Sequence, residues 1–210
     1  MFDISEGIRF TLDEHPRLRL SVPVELRPLA AWLHTDAQAN HGVLVEFGKG
    51  LRAAQLSGTQ IIGNGWVIRP APEGIELLPR YTGMDSFYVP DGVLWPVLEG
   101  IQGLLGGIDQ QLRAEFPAPA HQVLRSVSRE PDGSLRDHTY FPQALSERAV
   151  AEAGQQAWQS EETLIDESTG AWSGFWQGME IAGYYDPASG QVQSYFPVMS
   201  PLSGVPAAAG

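Results

Sequence analysis

Few residues in this 210-residue chain are equipped for chemistry: it holds five histidines, one lysine and no cysteine. The missing cysteine removes disulfides, thiolate nucleophiles and thiolate-rich metal sites together. Imidazole is what remains for proton transfer, and His138 has the most informative setting. It lies in DHTYFPQALSERAV, residues 137–150, which reads as a strand ending at a Phe-Pro corner followed by a helix capped by Ser146. An imidazole titrates near pH 6.5, so it exchanges protons at neutral pH but is only a weak cation there. His121 follows the proline-rich segment FPAPA. Plain surface roles compete with chemistry at both positions, for His138 as a strand residue beside Asp137 and more strongly for His121 as a loop residue.

Other constellations read as structure. His34 and His41 have no third histidine or cysteine nearby, so neither a metal nor a cofactor is expected. The acidic pairs Glu161-Glu162 and Asp166-Glu167 fit a solvated loop. Trp158, Trp172, Phe175 and Trp176 have the chemistry to stack on bases. With no Arg or Lys after Arg148, packing explains them better. Nucleophile elbows, P-loops and dinucleotide fingerprints are absent.

The elements that must position these residues alternate between short strands and helices. Residues 2–26 read as one or two strands, and LRPLAAWLHTDAQA as a helix with Pro28 in its first turn. From Gly42 to Leu78, the runs GVLVEF, LRAAQL, TQIIG, WVIRP and GIELLP predict an antiparallel sheet with its strongest turn at Asn64-Gly65. Asp91 starts a helix that Gly106-Gly107 would stop, and IDQQLRAEF would form a second. Pro131-Asp132-Gly133 marks a hairpin, SEETLIDESTG a loop, and Asp186 to Gly190 the turn of a last hairpin. The expected class is α+β, with antiparallel sheets packed against helices. The expected division is an N-terminal α+β domain at 1–104, a second α+β domain at 105–198, and a disordered tail at 199–210.

Net charge is −12, and residues 105–210 hold five basic against thirteen acidic residues. Such a field repels phosphate backbones and favours cationic partners. No apolar run approaches the roughly 20 residues of a membrane span. The N-terminus lacks the basic start and apolar stretch of a secretory signal, so a cytoplasmic location is expected.

Three motifs in the second half, HTYFPQALSERAV, GMEIAGYYDPASGQV and QSYFPV, occur in an order that resembles the C-terminal half of the EndoU-like ribonucleases. The similarity covers roughly residues 120–198. It implies a twisted antiparallel sheet packed on helices, and cleavage of RNA after pyrimidines, often uridine, to leave a 2′,3′-cyclic phosphate. That reaction needs one group to take the 2′-hydroxyl proton, another to protonate the leaving oxygen, and a fixed cation to offset phosphate charge. The family uses two histidines and a lysine. The lysine position falls on His138, His121 stands for the second histidine, and the first has no counterpart. Lys49 lies too far upstream to substitute for the lysine. The resemblance further implies substrate contacts from Ser194, Tyr195, Phe196 and Thr139, with Phe196 in place of a stacking tyrosine.

These departures predict a catalytically degenerate EndoU-like binding or regulatory protein of a bacterial toxin–immunity system. Its partner would be a cationic protein, a toxin among the candidates, or single-stranded RNA. The alternative expectation is an active RNA endonuclease using His121 and His138.

Overall fold

A computed structural model of the chain describes residues 2–4, 7–116 and 121–203. The FPAPA prolines and the last seven residues lie outside the described residues.

Three sheets carry the chain. The first is an antiparallel meander of β1 (Phe2–Ile4), β2 (Ile8–Leu12) and β3 (Leu18–Ser21). In β2, Ile8 and Phe10 are buried while Arg9 between them is exposed, the two-residue period that fixes its register. Helix α1 (Arg27–Trp32) follows with Pro28 in its first turn and runs into a π-helical turn, Leu33–Ala37. π turns inside helices are rare and concentrate at functional sites. Here the turn carries His34, Thr35 and Asp36.

The next segment corrects the sequence reading, because GVLVEF and LRAAQL are not strands. They form α2 (His41–Ser57), capped by the Asn40 side chain, which accepts the Val43 N–H, and closed by Gly58 at positive φ. The apolar positions Val43, Leu44, Phe47, Leu51 and Ala54 recur at helical spacing and are buried. That pattern outweighs the β propensity of the valines.

β4 (Ile61–Ile62), β5 (Trp66–Ala71), β6 (Gly74–Pro79) and β7 (Phe87–Pro90) build the antiparallel part of the second sheet, with the expected turn at Asn64-Gly65. Helix α3 then runs unbroken over Asp91–Glu115. Gly106-Gly107 does not stop it. Leu105 and Leu112 on either side are buried, and Gly106 lets His41 approach so closely that a Cβ there would lie 2.9 Å from Nε2.

β8 (Leu124–Arg129) and β9 (Leu135–Tyr140) form the hairpin at Pro131-Asp132-Gly133 and join the second sheet, because β4 pairs β9 in parallel through Ile61 and Leu135. The order of the six strands is β7-β6-β5-β4-β9-β8. α4 (Glu147–Trp158), capped by Ser146, packs on the third sheet, a four-stranded meander. Its strands are β10 (Leu164–Asp166), β11 (Ala171–Trp176), β12 (Met179–Tyr185) and β13 (Val192–Pro197). β10 lies inside the acidic segment expected to be a loop; its backbone pairs with β11 while Ile165 stays exposed.

The fold is α+β, as expected, with antiparallel and mixed sheets packed against helices. The division at residue 104 is not respected, since α3 runs through it and β4 and β9 pair across it. One hydrophobic cluster also joins Trp32, Trp66 and Ile75 to Ala182, Tyr184 and Phe196. The tail reading fails for 199–203: Met199, Ser200 and Ser203 are buried, and the Asn40 amide donates to the Ser200 and Ser203 carbonyls. Among the described residues no helix is long and apolar enough to cross a membrane.

Candidate functional site

β9 and β13 come together where Thr139 bridges them. Its hydroxyl donates to the Pro197 carbonyl (2.6 Å) and accepts from the Asn64 and Gln38 amides (3.0 and 3.3 Å). Its backbone N–H donates to Asn64 Oδ1. One donor and two acceptor sites exhaust a hydroxyl. Thr139 therefore holds the site together and has nothing left for a substrate.

The junction leaves a cleft of about 360 Å³ lined by His138, Tyr140, Ser194, Tyr195 and Phe196, with Asn64, Tyr81 and Phe141 closing it. Four of the expected residues, His138, Ser194, Tyr195 and Phe196, thus share one cavity wall with Thr139. Tyr195 meets Phe141 edge-on at 6.1 Å and lies over Gly154 of α4, where a Cβ would come within 2.6 Å of its ring. The Ser194 hydroxyl is buried without a hydrogen-bond partner. Such a group is costly unless something else satisfies it.

His121 does not join them. Its ring stacks on Trp176 at 5.0 Å and its Nε2 lies 3.0 Å from Gln177 Oε1, and none of the three lines the cleft.

A permanent cation missed in the sequence stands beside the cleft, touching its wall residue His138 without lining the cavity itself. Arg80, just after β6, places Nη1 at 2.6 Å from the Gly63 carbonyl, 3.1 Å from that of Asn64 and 3.2 Å from His138 Nε2. Every one of these contacts uses Nη1. Nε and Nη2, the edge that grips phosphate in a two-pronged fashion, have no partner among the described residues. The only signal in the sequence was a basic residue set beside an aromatic, Arg80-Tyr81, directly after a strand. Their side chains also interact, with the guanidinium carbon 5.3 Å from the Tyr81 ring centre.

Arg80 also fixes the state of His138. A guanidinium only donates, so His138 Nε2 must be the unprotonated nitrogen when it accepts from Nη1. Burial, then the charges of Arg80 and Arg136, hold the imidazole below its ordinary pKa; the Gly63 carbonyl and Asp137 offset part of this. At neutral pH His138 is neutral, and its free lone pair is already engaged. Its one proton, on Nδ1, is that of a neutral imidazole and far too weak an acid to protonate a leaving group, and it has no open lone pair to accept one.

Beneath the cleft the Gly63–Gly65 turn wraps the Asp36 carboxylate. Asp36 is buried, accepts from the Thr35 hydroxyl (2.6 Å) and from the Gly65 N–H (3.2 Å), and would collide with any side chain at 63, since a Cβ there would lie 1.8 Å from Oδ1. Desolvation, opposed by these bonds, pushes its pKa up to about 7, with a smaller upward push from Asp137. Thr35 shares its hydroxyl with Tyr184, which accepts from the Trp66 indole N–H at 2.7 Å.

Fold and cleft define an α+β protein with a fixed guanidinium and an aromatic wall beside a neutral imidazole. No protein-family model matches the chain, and no curated protein or solved structure does either. The resemblance to the EndoU-like ribonucleases rests on the three quoted motifs.

Proposed function

We propose that the chain is a catalytically degenerate EndoU-like binding protein, acting in the cytoplasm, whose cleft takes single-stranded RNA without cutting it. The observation that carries this reading is Arg80, anchored through one nitrogen with its phosphate-binding edge free. Tyr81, Tyr140 and Tyr195 offer faces for base stacking beside it, worth about 1–3 kcal/mol per base where such stacks form. The unpartnered Ser194 hydroxyl stands where the family contacts a pyrimidine. Against turnover stands the separation of His121 from His138 and the engagement of the His138 lone pair.

The test is a fluorescently labelled oligouridylate titrated into the full chain, with the product run on a gel after long incubation at high protein concentration. Saturable binding with intact RNA is expected. Arg80→Gln should weaken it about 10-fold or more and Arg80→Lys less, in line with the roughly 1.5–3 kcal/mol of a charged hydrogen-bonded contact. Cyclic-phosphate ends that vanish in His138→Ala would instead establish the endonuclease, and no binding to any single strand would remove RNA as ligand.

A second reading is supported by the net charge of −12. A strongly acidic protein gains association rate and selectivity toward a basic partner, which suits a component of a toxin–immunity system that neutralises a cationic toxin. Its signature is a salt-sensitive complex with a basic protein that persists in Arg80→Gln.

A further inference from the structure

A second cleft, of about 230 Å³, opens where the edge strands β3 and β10 face each other across α1. Its walls are largely apolar, from Leu18 and Leu20 of β3, Ala31 of α1, and Leu164 and Trp172 of the third sheet; Arg19 and Asp166 also line it, each paired with another charge, Asp13 and Arg27. One polar ring interrupts them, His34, presented by the π turn.

Behind that ring lies Glu180 of β12, only 2% exposed, between the buried apolar residues Met179 and Ile181. Its Oε1 comes 3.0 Å from His34 Nε2. The two atoms are close but poorly aligned, for both are buried without a hydrogen bond. His34 is the only partner of this carboxylate among the described residues. An ionisable group sealed in a core costs several kcal/mol unless well paired, and an apolar side chain would fit between its neighbours on β12 without that cost. His34 Nδ1, by contrast, has no hydrogen-bond partner among the described residues and is not a buried, unsatisfied atom, so it is left open toward the cleft side.

A lone pair at Nε2 would face the Glu180 oxygen 3.0 Å away, acceptor against acceptor, so the neutral imidazole is favoured with its N–H at Nε2 and its lone pair at Nδ1 even though the pair is too poorly aligned for a hydrogen bond. Ser173 also lines the cleft, but its hydroxyl accepts from Arg17 (3.3 Å) and makes no bond to His34, so no nucleophile is assembled. The arrangement is built for binding. We propose that this cleft is a small-molecule site, separate from the His138 cleft, for a neutral ligand with an apolar body of about one ring and a hydroxyl that donates to His34 Nδ1. An apolar cavity of roughly 150 Å³ already admits benzene, so a phenol is the smallest fitting member of the class.

The experiment is a titration of the full chain, labelled with ¹⁵N-histidine, with phenol and with toluene. His34 resonances are identified by their loss in His34→Gln. Saturable binding is expected, with Nε2 protonated and the Nδ1 resonance moving on saturation. Toluene should bind about 10-fold more weakly, the usual worth of one hydrogen bond. Glu180→Gln, which removes the buried charge and keeps the shape, should retain the fold and lose about 10-fold in phenol affinity. Equal affinities for toluene and phenol would overturn the proposal, as would a proton on Nδ1 or no saturation below about 10 mM phenol.

Discussion

At the scale of single residues, Asp36 is the group whose burial has the clearest consequence. Unfolded, its carboxyl loses its proton near 3.8; folded, it keeps it up to about 7. Between those values the native state binds more protons than the unfolded chain, so this group makes stability fall as pH rises from about 4 to about 7, after which its effect levels off. The full swing is on the order of 4 kcal/mol for a shift of about three units. Asp36→Asn removes the titration and roughly keeps the shape. Urea unfolding of both proteins at pH 5 and pH 8 should show the variant gaining relative stability at the higher pH. A pH-independent difference between the two would mean that Asp36 is ionised throughout. Asp36 carried no signal in the sequence, because its burial comes from a turn 27 residues later that needs glycine at 63 to close over it. Arg80 was hidden for the same reason. The motif that points to the cleft lies in the second half of the chain, and the cation comes from the first. His138, Ser194, Tyr195 and Phe196, singled out by the resemblance, share one cleft wall, which one local stretch and one strand bring together.

Among the elements, those closed by local chemistry were the readable ones. Asn64-Gly65, Pro131-Asp132-Gly133 and the Asp186–Gly190 turn each join two strands, and Ser146 caps α4 as its type predicts. α2 was misread because its valines and glycines suggest strands, while its identity as a helix lies in a buried stripe that shows only against the core. The extent of α3 was misread at a glycine pair whose flexibility counts for less than the burial of Leu105 and Leu112. How β9 meets β13 was not readable at all, for it depends on Thr139 reaching residues from three other segments. Thr139→Val keeps the shape and removes those bonds. The Gln38 and Asn64 amides retain the Thr35 carbonyl as acceptor, so the group left stranded is the Pro197 carbonyl. A loss of about 1–3 kcal/mol is expected from urea unfolding. Thr139→Ser should lose less than half of that. Equal losses in both variants would assign the cost to the missing methyl instead.

At the scale of the whole molecule, α3, the β4–β9 pairing and a shared core all cross the expected boundary. A polypeptide of residues 1–104 or of 105–203 should therefore show no cooperative unfolding, while the full chain should unfold in a single transition seen alike by tryptophan fluorescence and circular dichroism. Cooperative folding of the second piece alone would restore the two-domain reading.

Charge acts at the same scale and separates the two readings of function. At about 0.01 M salt the screening length is about 30 Å, so an approaching ligand feels the net charge of the whole chain; at about 0.1 M it is about 10 Å, and only the charges around the cleft are felt. With a net charge of −12, RNA should associate faster at the higher salt, as the far-field repulsion is screened and the Arg80 edge still attracts. A basic protein partner should associate more slowly there, for the opposite reason. Stopped-flow association rates at the two salt concentrations decide it. An RNA rate that falls with salt would mean that the field is set by Arg80, Arg136 and their surroundings rather than by the net charge, and a partner-protein rate indifferent to salt would remove electrostatic capture as the basis of an immunity role.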